Sequence, residues 1–300
     1  MKRRLLFFSM LLTLVSALTV MSTGVAFASA NLARMSSSCI TSGSTNTLTG
    51  TIGGANYLIQ VPANWNGTLL LYSHGYVFPG SPLTPHDASD SLTGGALLQQ
   101  GYALAGSSYS RNGWALQQAF HDQFALLDFF NTTCGRPART IPWGDSLGGI
   151  ITAGLVQLDP QRFAGAMPLC GVLAGGIGTW NQALDSSFAF DTLLAGGSLP
   201  LVHITDPTSG FQQAQAIIAA AQKSPQGKAR IALAAAMGDL PGWFYAASPE
   251  PAKTDFAAQE QNQFLWQSQV DLDFAFFARA ELESRAVSYT HLTLPTILRV

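Results

Sequence analysis

Charge is scarce in this chain. Asp, Glu, Lys and Arg make up 11% of its 300 residues, and no cluster of basic residues follows the first few positions. A protein that tracks a phosphate backbone needs such a cluster, so no nucleic-acid partner is expected. Beyond the N-terminal segment no apolar run is long enough to span a bilayer. There is no phosphate loop, no dinucleotide fingerprint and no metal-ligand spacing, so neither cofactor nor metal is expected. Histidine is limited to five positions and cysteine to three, Cys39, Cys134 and Cys170. An odd cysteine count in an exported protein leaves open a free thiol, an intermolecular pair or a missing partner, and the pairing stays open.

What is present begins with an export signal. Lys2-Arg3-Arg4 precedes an apolar segment from Leu5 to Val20, and Ala28-Ser29-Ala30 has the small-x-small form of a signal-peptidase site. Ser22, Thr23 and Gly24 interrupt the run too early for a membrane anchor. The reading is a secreted protein cleaved near Ala30, with no anchor after processing. Cleavage removes three of the fifteen basic residues and none of the seventeen acidic ones, moving the formal charge from -2 to -5. The remainder, residues 31–300, is enough for one large α/β domain.

Residues 31–51 are rich in Ser, Thr and Asn and read as an arm or edge turn, tied down through Cys39. Ala55–Val61 alternates weakly, as an early antiparallel strand does. Thr68–Ser73, with Leu69-Leu70-Leu71-Tyr72, is continuously apolar, the mark of a strand covered on both faces, and it ends at His74-Gly75-Tyr76. A helix over 94–100, a buried strand over 102–107 and an amphipathic helix carrying Leu116, Phe120, Phe124 and Leu127 come next. Strand residues 140–143 lead into another helix, which Asp159-Pro160 stops, and residues 163–169 read as one more strand. This alternation predicts a doubly wound, mostly parallel sheet over 31–171.

From Gly175 onward the chain reads as mostly helical, with helices over 211–223, 228–237 and 255–285. The segment 172–285 is expected to form an inserted helical cap. Phe256, Phe264, Trp266, Phe274, Phe276 and Phe277 either pack its core or line the inner wall of a lid. Residues 286–296, Ala-Val-Ser-Tyr-Thr-His-Leu-Thr-Leu-Pro-Thr, resemble the conceptual translation of a sequencing-library adapter. On that reading native sequence stops near Arg285, residues 286–300 are a non-native tail, and the chain is a fragment. Codons over 287–296 that differ from the adapter would sink the idea.

The chemistry centres on Gly144-Asp145-Ser146-Leu147-Gly148, which fits G-x-S-x-G between a short strand and an amphipathic helix. A serine on such a turn stands clear of the backbone, and the flanking glycines avoid collision with neighbouring elements. With a strand ending in His74-Gly75 upstream, the chain resembles the α/β-hydrolase superfamily, more narrowly the large secreted bacterial serine hydrolases with a helical cap. The resemblance covers residues from about Tyr57 to Arg285. It implies Ser146 as nucleophile and the backbone N–H groups of Tyr76 and Leu147 as oxyanion donors, worth about 3 kcal/mol each.

The resemblance also implies an acid and then a histidine after the nucleophile, and here the sequence departs from it. His203 comes too early and His291 lies in the adapter-like tail. A Ser146, Asp206, His291 triad is therefore disfavoured, although Asp206 closes a strand-like run. His74 reads as structural, His121 as a helix-face residue and Trp143 as core, while Asp145 could tune the turn or face solvent. The leading expectation is a secreted serine hydrolase cleaving small or polymeric carboxylic esters through an acyl-enzyme, inactive as this fragment for want of acid and base. A capped serine peptidase and a non-catalytic binding protein on a hydrolase sheet are the alternatives. Oligomeric state is not legible.

Overall fold

The computed structural model describes residues 39–244 and 248–283. The export signal, the start of the arm, His291 and the tail lie outside these residues. Among the described residues the strands form one six-stranded sheet: β1 (Asn46–Ile52), β2 (Ala55–Val61), β3 (Thr68–Ser73), β4 (Ala103–Ser107), β5 (Arg139–Asp145) and β6 (Met167–Leu169). Their spatial order is β1-β2-β4-β3-β5-β6. The pairs β1/β2 and β2/β4 are antiparallel, and β4/β3, β3/β5 and β5/β6 are parallel. The fold is thus the α/β class expected, mixed at one edge.

Burial follows sequence pattern. β2 alternates buried and half-buried residues, as a strand with one covered face does, and β3 and β4 are buried almost throughout. On one face, Leu69, Leu71, Ala103 and Ala105 pack against α2 (Leu116–Thr133) through Phe120, Leu127 and Phe130. On that same face they meet α3 (Leu147–Leu158) through Ile150, Ile151 and Leu155. On the other face, Tyr72, Leu104 and Trp143 meet Leu97 and Leu98 of α1 (Ser91–Gln99), whose start is capped by Asp90 accepting from the Thr93 N–H. Helices on both faces make the sheet doubly wound.

Two expectations change at the edges. Residues 46–52 are a full strand rather than part of an arm, because pairing with β2 satisfies the backbone of an exposed Thr- and Asn-bearing segment. The strand expected over 163–169 is confined to Met167–Leu169, after a 3₁₀ turn at Pro160–Arg162. Cys39 and Cys134 are disulfide-bonded, so the strand edge is tied to the end of α2, and Cys170 is free and exposed.

The helical segment contains α4 (Gly175–Phe190), α5 (Pro207–Ala221), α6 (Pro225–Met237) and α7 (Phe256–Trp266). A π-helical turn, Asp191–Ala195, follows α4, and two more, Gln267–Asp271 and Phe274–Ala278, continue α7. Residues 224–227, left between the helices expected over 211–223 and 228–237, are the start of α6: Ser224 caps the helix by accepting from the Gly227 N–H, and Pro225 takes the first helical position. These helices share their own core of Phe190, Ile204, Ile218, Ile231, Leu272 and Phe276. Among the described residues no helix is long and apolar enough to cross a membrane.

Candidate active site

Ser146 occupies the turn between β5 and α3 with φ +56° and ψ -119°, a conformation that side-chain-bearing residues rarely adopt. Such backbone costs on the order of 1–3 kcal/mol and persists where its surroundings hold it. Three hydrogen bonds do so. The Ser146 N–H donates to the Leu169 carbonyl (3.0 Å), and the Ser146 carbonyl accepts from the N–H groups of Gly149 (3.0 Å) and Val172 (3.4 Å). The end of β6 therefore fixes the turn from one side.

The glycines explain how close the other elements come. A Cβ on Gly144 would lie 2.8 Å from the Gly148 carbonyl oxygen, and one on Gly149 would lie 2.5 Å from the Gly171 Cα. A Cβ on Gly148 would overlap the Ser73 carbonyl oxygen and lie 2.7 Å from the Ser73 carbonyl carbon. The two glycines of the motif let α3 start against the C-terminal end of β3. That approach carries Gly75 to Ser146: a Cβ there would be 3.6 Å from the Ser146 Cβ. Ser146, Leu147 and the Gly75-Tyr76 step are thus brought together. Leu147 is the first residue of α3, so its N–H has no acceptor one turn back within the helix.

His74 is buried, and its Nδ1–H donates to the Gly75 carbonyl at 2.7 Å, while its ring stacks on Tyr109 at 4.0 Å. The Tyr109 hydroxyl donates to the His74 carbonyl. Burial holds the imidazole below its ordinary pKa. Its contacts shape the loop that carries Tyr76, as the structural reading expects. His121 is exposed beside Asp122 on α2, and Trp143 is buried against Tyr72 with ring centroids 4.8 Å apart.

Asp145 does not face solvent freely, because its carboxylate accepts a 2.5 Å hydrogen bond from the Tyr72 hydroxyl. Burial first, and then this carboxylate, push the Tyr72 phenol well above its usual range, so it stays a donor. The sequence carried the signal in part: β3 and β5 are parallel with Tyr72 opposite Trp143, two residues before Asp145 and on the same face of the sheet.

Asp206 is corrected. Residues 199–206 form no strand, and the Asp206 carboxylate caps α5 by accepting from the Ser209 N–H at 2.9 Å. His203 is exposed at φ +53° just before that cap. Among the described residues no histidine hydrogen-bonds Ser146, and His291 lies outside them. The conspicuous contact across the site comes from the continuation of α7. The Tyr76 ring packs 5.5 Å from Phe274 and 5.1 Å from Phe78, and the Tyr76 hydroxyl donates to Glu281 at 3.4 Å. Of the aromatic run, Phe276 belongs to the helical core, whereas Phe274 and Phe277 face the loop after β3.

A serine on a positive-φ turn between a central parallel strand and a helix, in a mixed sheet covered on both faces, is the arrangement that the α/β-hydrolase resemblance implies. No family model matches the chain. It is similar to an o-phthalyl amidase of Xanthobacter agilis, with 27% identity over 228 residues, covering 67% of this chain and 48% of that protein. The chain therefore spans about half the length of this curated relative. Among solved structures it is similar to a proline iminopeptidase of Mycobacterium smegmatis, at 15% identity and a TM-score of 0.37, covering 75% of this chain and 72% of that one. A probable hydrolytic enzyme of Pseudomonas aeruginosa gives 16% identity and a TM-score of 0.35, over 81% and 67% of the two chains. An arylesterase gives 16% identity and 0.35, over 43% and 46%.

Proposed function

We propose that the chain is a serine hydrolase in which the Ser146 hydroxyl attacks an ester carbonyl and carries the acyl group until water releases it. The observation that carries this reading is the Ser146 turn itself, held at positive φ by three backbone bonds with Gly75 packed against it. In this reading the N–H groups of Leu147 and Tyr76 hold the oxyanion, and His74 and Asp145 position the loops that present them. The proton acceptor belongs to residues outside those described. A base is required, because a serine hydroxyl without one is a poor nucleophile. The helical segment acts as a cap, and Phe274 beside Tyr76 supports that role. Secretion is supported by the N-terminal signal and by the Cys39–Cys134 disulfide, since such bonds persist in oxidising compartments.

A second reading changes the bond from ester to amide, and the name of the Xanthobacter relative favours it. Parallel assays of the full-length protein on p-nitrophenyl esters and acyl-anilides separate the two. Faster turnover of esters, abolished in Ser146→Ala, supports the first reading; a preference for anilides supports the second.

A further inference from the structure

A cavity of about 200 Å³ opens at the end of β5 remote from Ser146, between the end of α2, the start of β5 and the 3₁₀ turn at Pro160–Arg162. Arg136, Arg139 and Arg162 line it, with Gln161 beside them and Leu127 and Phe163 as apolar walls. The whole chain holds only fifteen Lys and Arg, and folding brings Arg162 to the other two across more than twenty residues of sequence. β5 runs seven residues, Arg139–Asp145, which at about 3.3 Å per residue sets the cavity roughly 20 Å from Ser146. It is separate from the Ser146 turn.

The guanidinium of Arg162 is already oriented: it donates to the Asp128 carboxylate at 2.5 Å and stands 5.3 Å from the centroid of the Phe124 ring. That bond uses one of its five N–H donors. All seventeen Asp and Glu side chains belong to described residues, and neither Arg136 nor Arg139 forms an ion pair with any of them. Three guanidinium charges against the one carboxylate of Asp128 leave a net two positive charges around the cavity. A phosphate group carries about -1.5 to -2 at pH 7, and its oxygens accept the paired N–H donors of guanidinium forks. A carboxylate would cancel only half the charge. The walls of Leu127 and Phe163 keep water from one side, which strengthens such bonds.

We propose that this cavity binds a phosphate group, either the free ion or a small phosphate ester. Calorimetric titration of the full chain with inorganic phosphate and with glycerol phosphate at pH 7 tests it. Both are expected to bind, with acetate at least about tenfold weaker for want of a second charge. Tighter binding of the ester names an ester as the source of the group, and tighter binding of phosphate names the free ion. Arg136→Gln and Arg139→Gln should each weaken phosphate binding about tenfold, the loss of one charge-assisted pair. Arg230→Gln, at an exposed arginine of α6, should leave it unchanged. Hydrogen exchange on the unsubstituted chain needs no variant: phosphate should slow exchange over 136–140 and 161–164. No saturable binding of either phosphate compound, acetate bound as tightly, binding unchanged in both folded arginine variants, or slowed exchange confined to other segments would overturn the proposal. It stands apart from the serine-hydrolase reading, so Ser146→Ala should bind phosphate as the parent does.

Discussion

Replacing Gly148 by alanine tests whether close approach of α3 to β3 builds the Ser146 turn. The added Cβ would overlap the Ser73 carbonyl oxygen and lie 2.7 Å from its carbon and 2.9 Å from the His74 carbonyl oxygen. Ordinary contact begins at 3.4 Å, so the helix start must retreat by roughly 1.5 Å to clear the Ser73 carbonyl oxygen. Overpacking of this kind costs about 1–3 kcal/mol, and here the upper end applies because the opposing atoms are backbone and no rotamer change relieves them. Alanine gains about 1 kcal/mol over glycine inside a helix. The net expectation is a loss of about 2 kcal/mol or more. Gly95 supplies the control: it lies in α1 with no heavy atom within 4 Å of a Cβ built there, so Gly95→Ala should gain about 0.5–1 kcal/mol. Urea denaturation followed by tryptophan fluorescence reads both. A Gly148→Ala protein as stable as the parent, or a Gly95→Ala protein that loses more than Gly148→Ala does, would refute the packing argument.

Three further outcomes follow from the same geometry. The Cys39–Cys134 bond closes a loop of 95 residues, so Cys39→Ala with Cys134→Ala should lower stability by about 4.7 kcal/mol on the chain-entropy account, measured in urea without reductant. Burial raises Asp87 and Asp271 from 3.8 to about 6. The folded state then binds more protons than the unfolded one between those values, and stability falls as pH rises from about 4 to 6. Asp87→Asn and Asp271→Asn should each flatten that fall in denaturation curves taken across the range, and an unchanged slope would contradict the assignment. On the reading in which residues 286–300 are a non-native tail, the 300-residue chain should turn over p-nitrophenyl butyrate no faster than background; turnover that disappears in Ser146→Ala would refute this.

The sheet interior and the Ser146 turn were legible because their signals are local. Continuous apolar runs mark β3 and β4, and a strand, G-x-S-x-G and a helix occur in unbroken order over 139–158. β1 was not legible, since an exposed edge strand of Thr and Asn gains its order from pairing with β2. Asp206 misled for a related reason: Leu201-Val202-His203-Ile204 has the apolar content of a strand, while Asp206-Pro207 is a helix start. The Tyr72–Asp145 bond joins residues 73 positions apart, and only the parallel register of β3 and β5 brings them together. The contact of Phe274 with Tyr76 is equally non-local, so the sequence alone could not separate Phe276, which packs the helical core, from Phe274, which meets the loop after β3.

The central claim is that Ser146 is the nucleophile. Mapping a fluorophosphonate probe on the full-length protein by mass spectrometry tests it most directly. The account predicts modification of Ser146 and none in Ser146→Ala; a label on another residue, or no label on a folded protein, would contradict it.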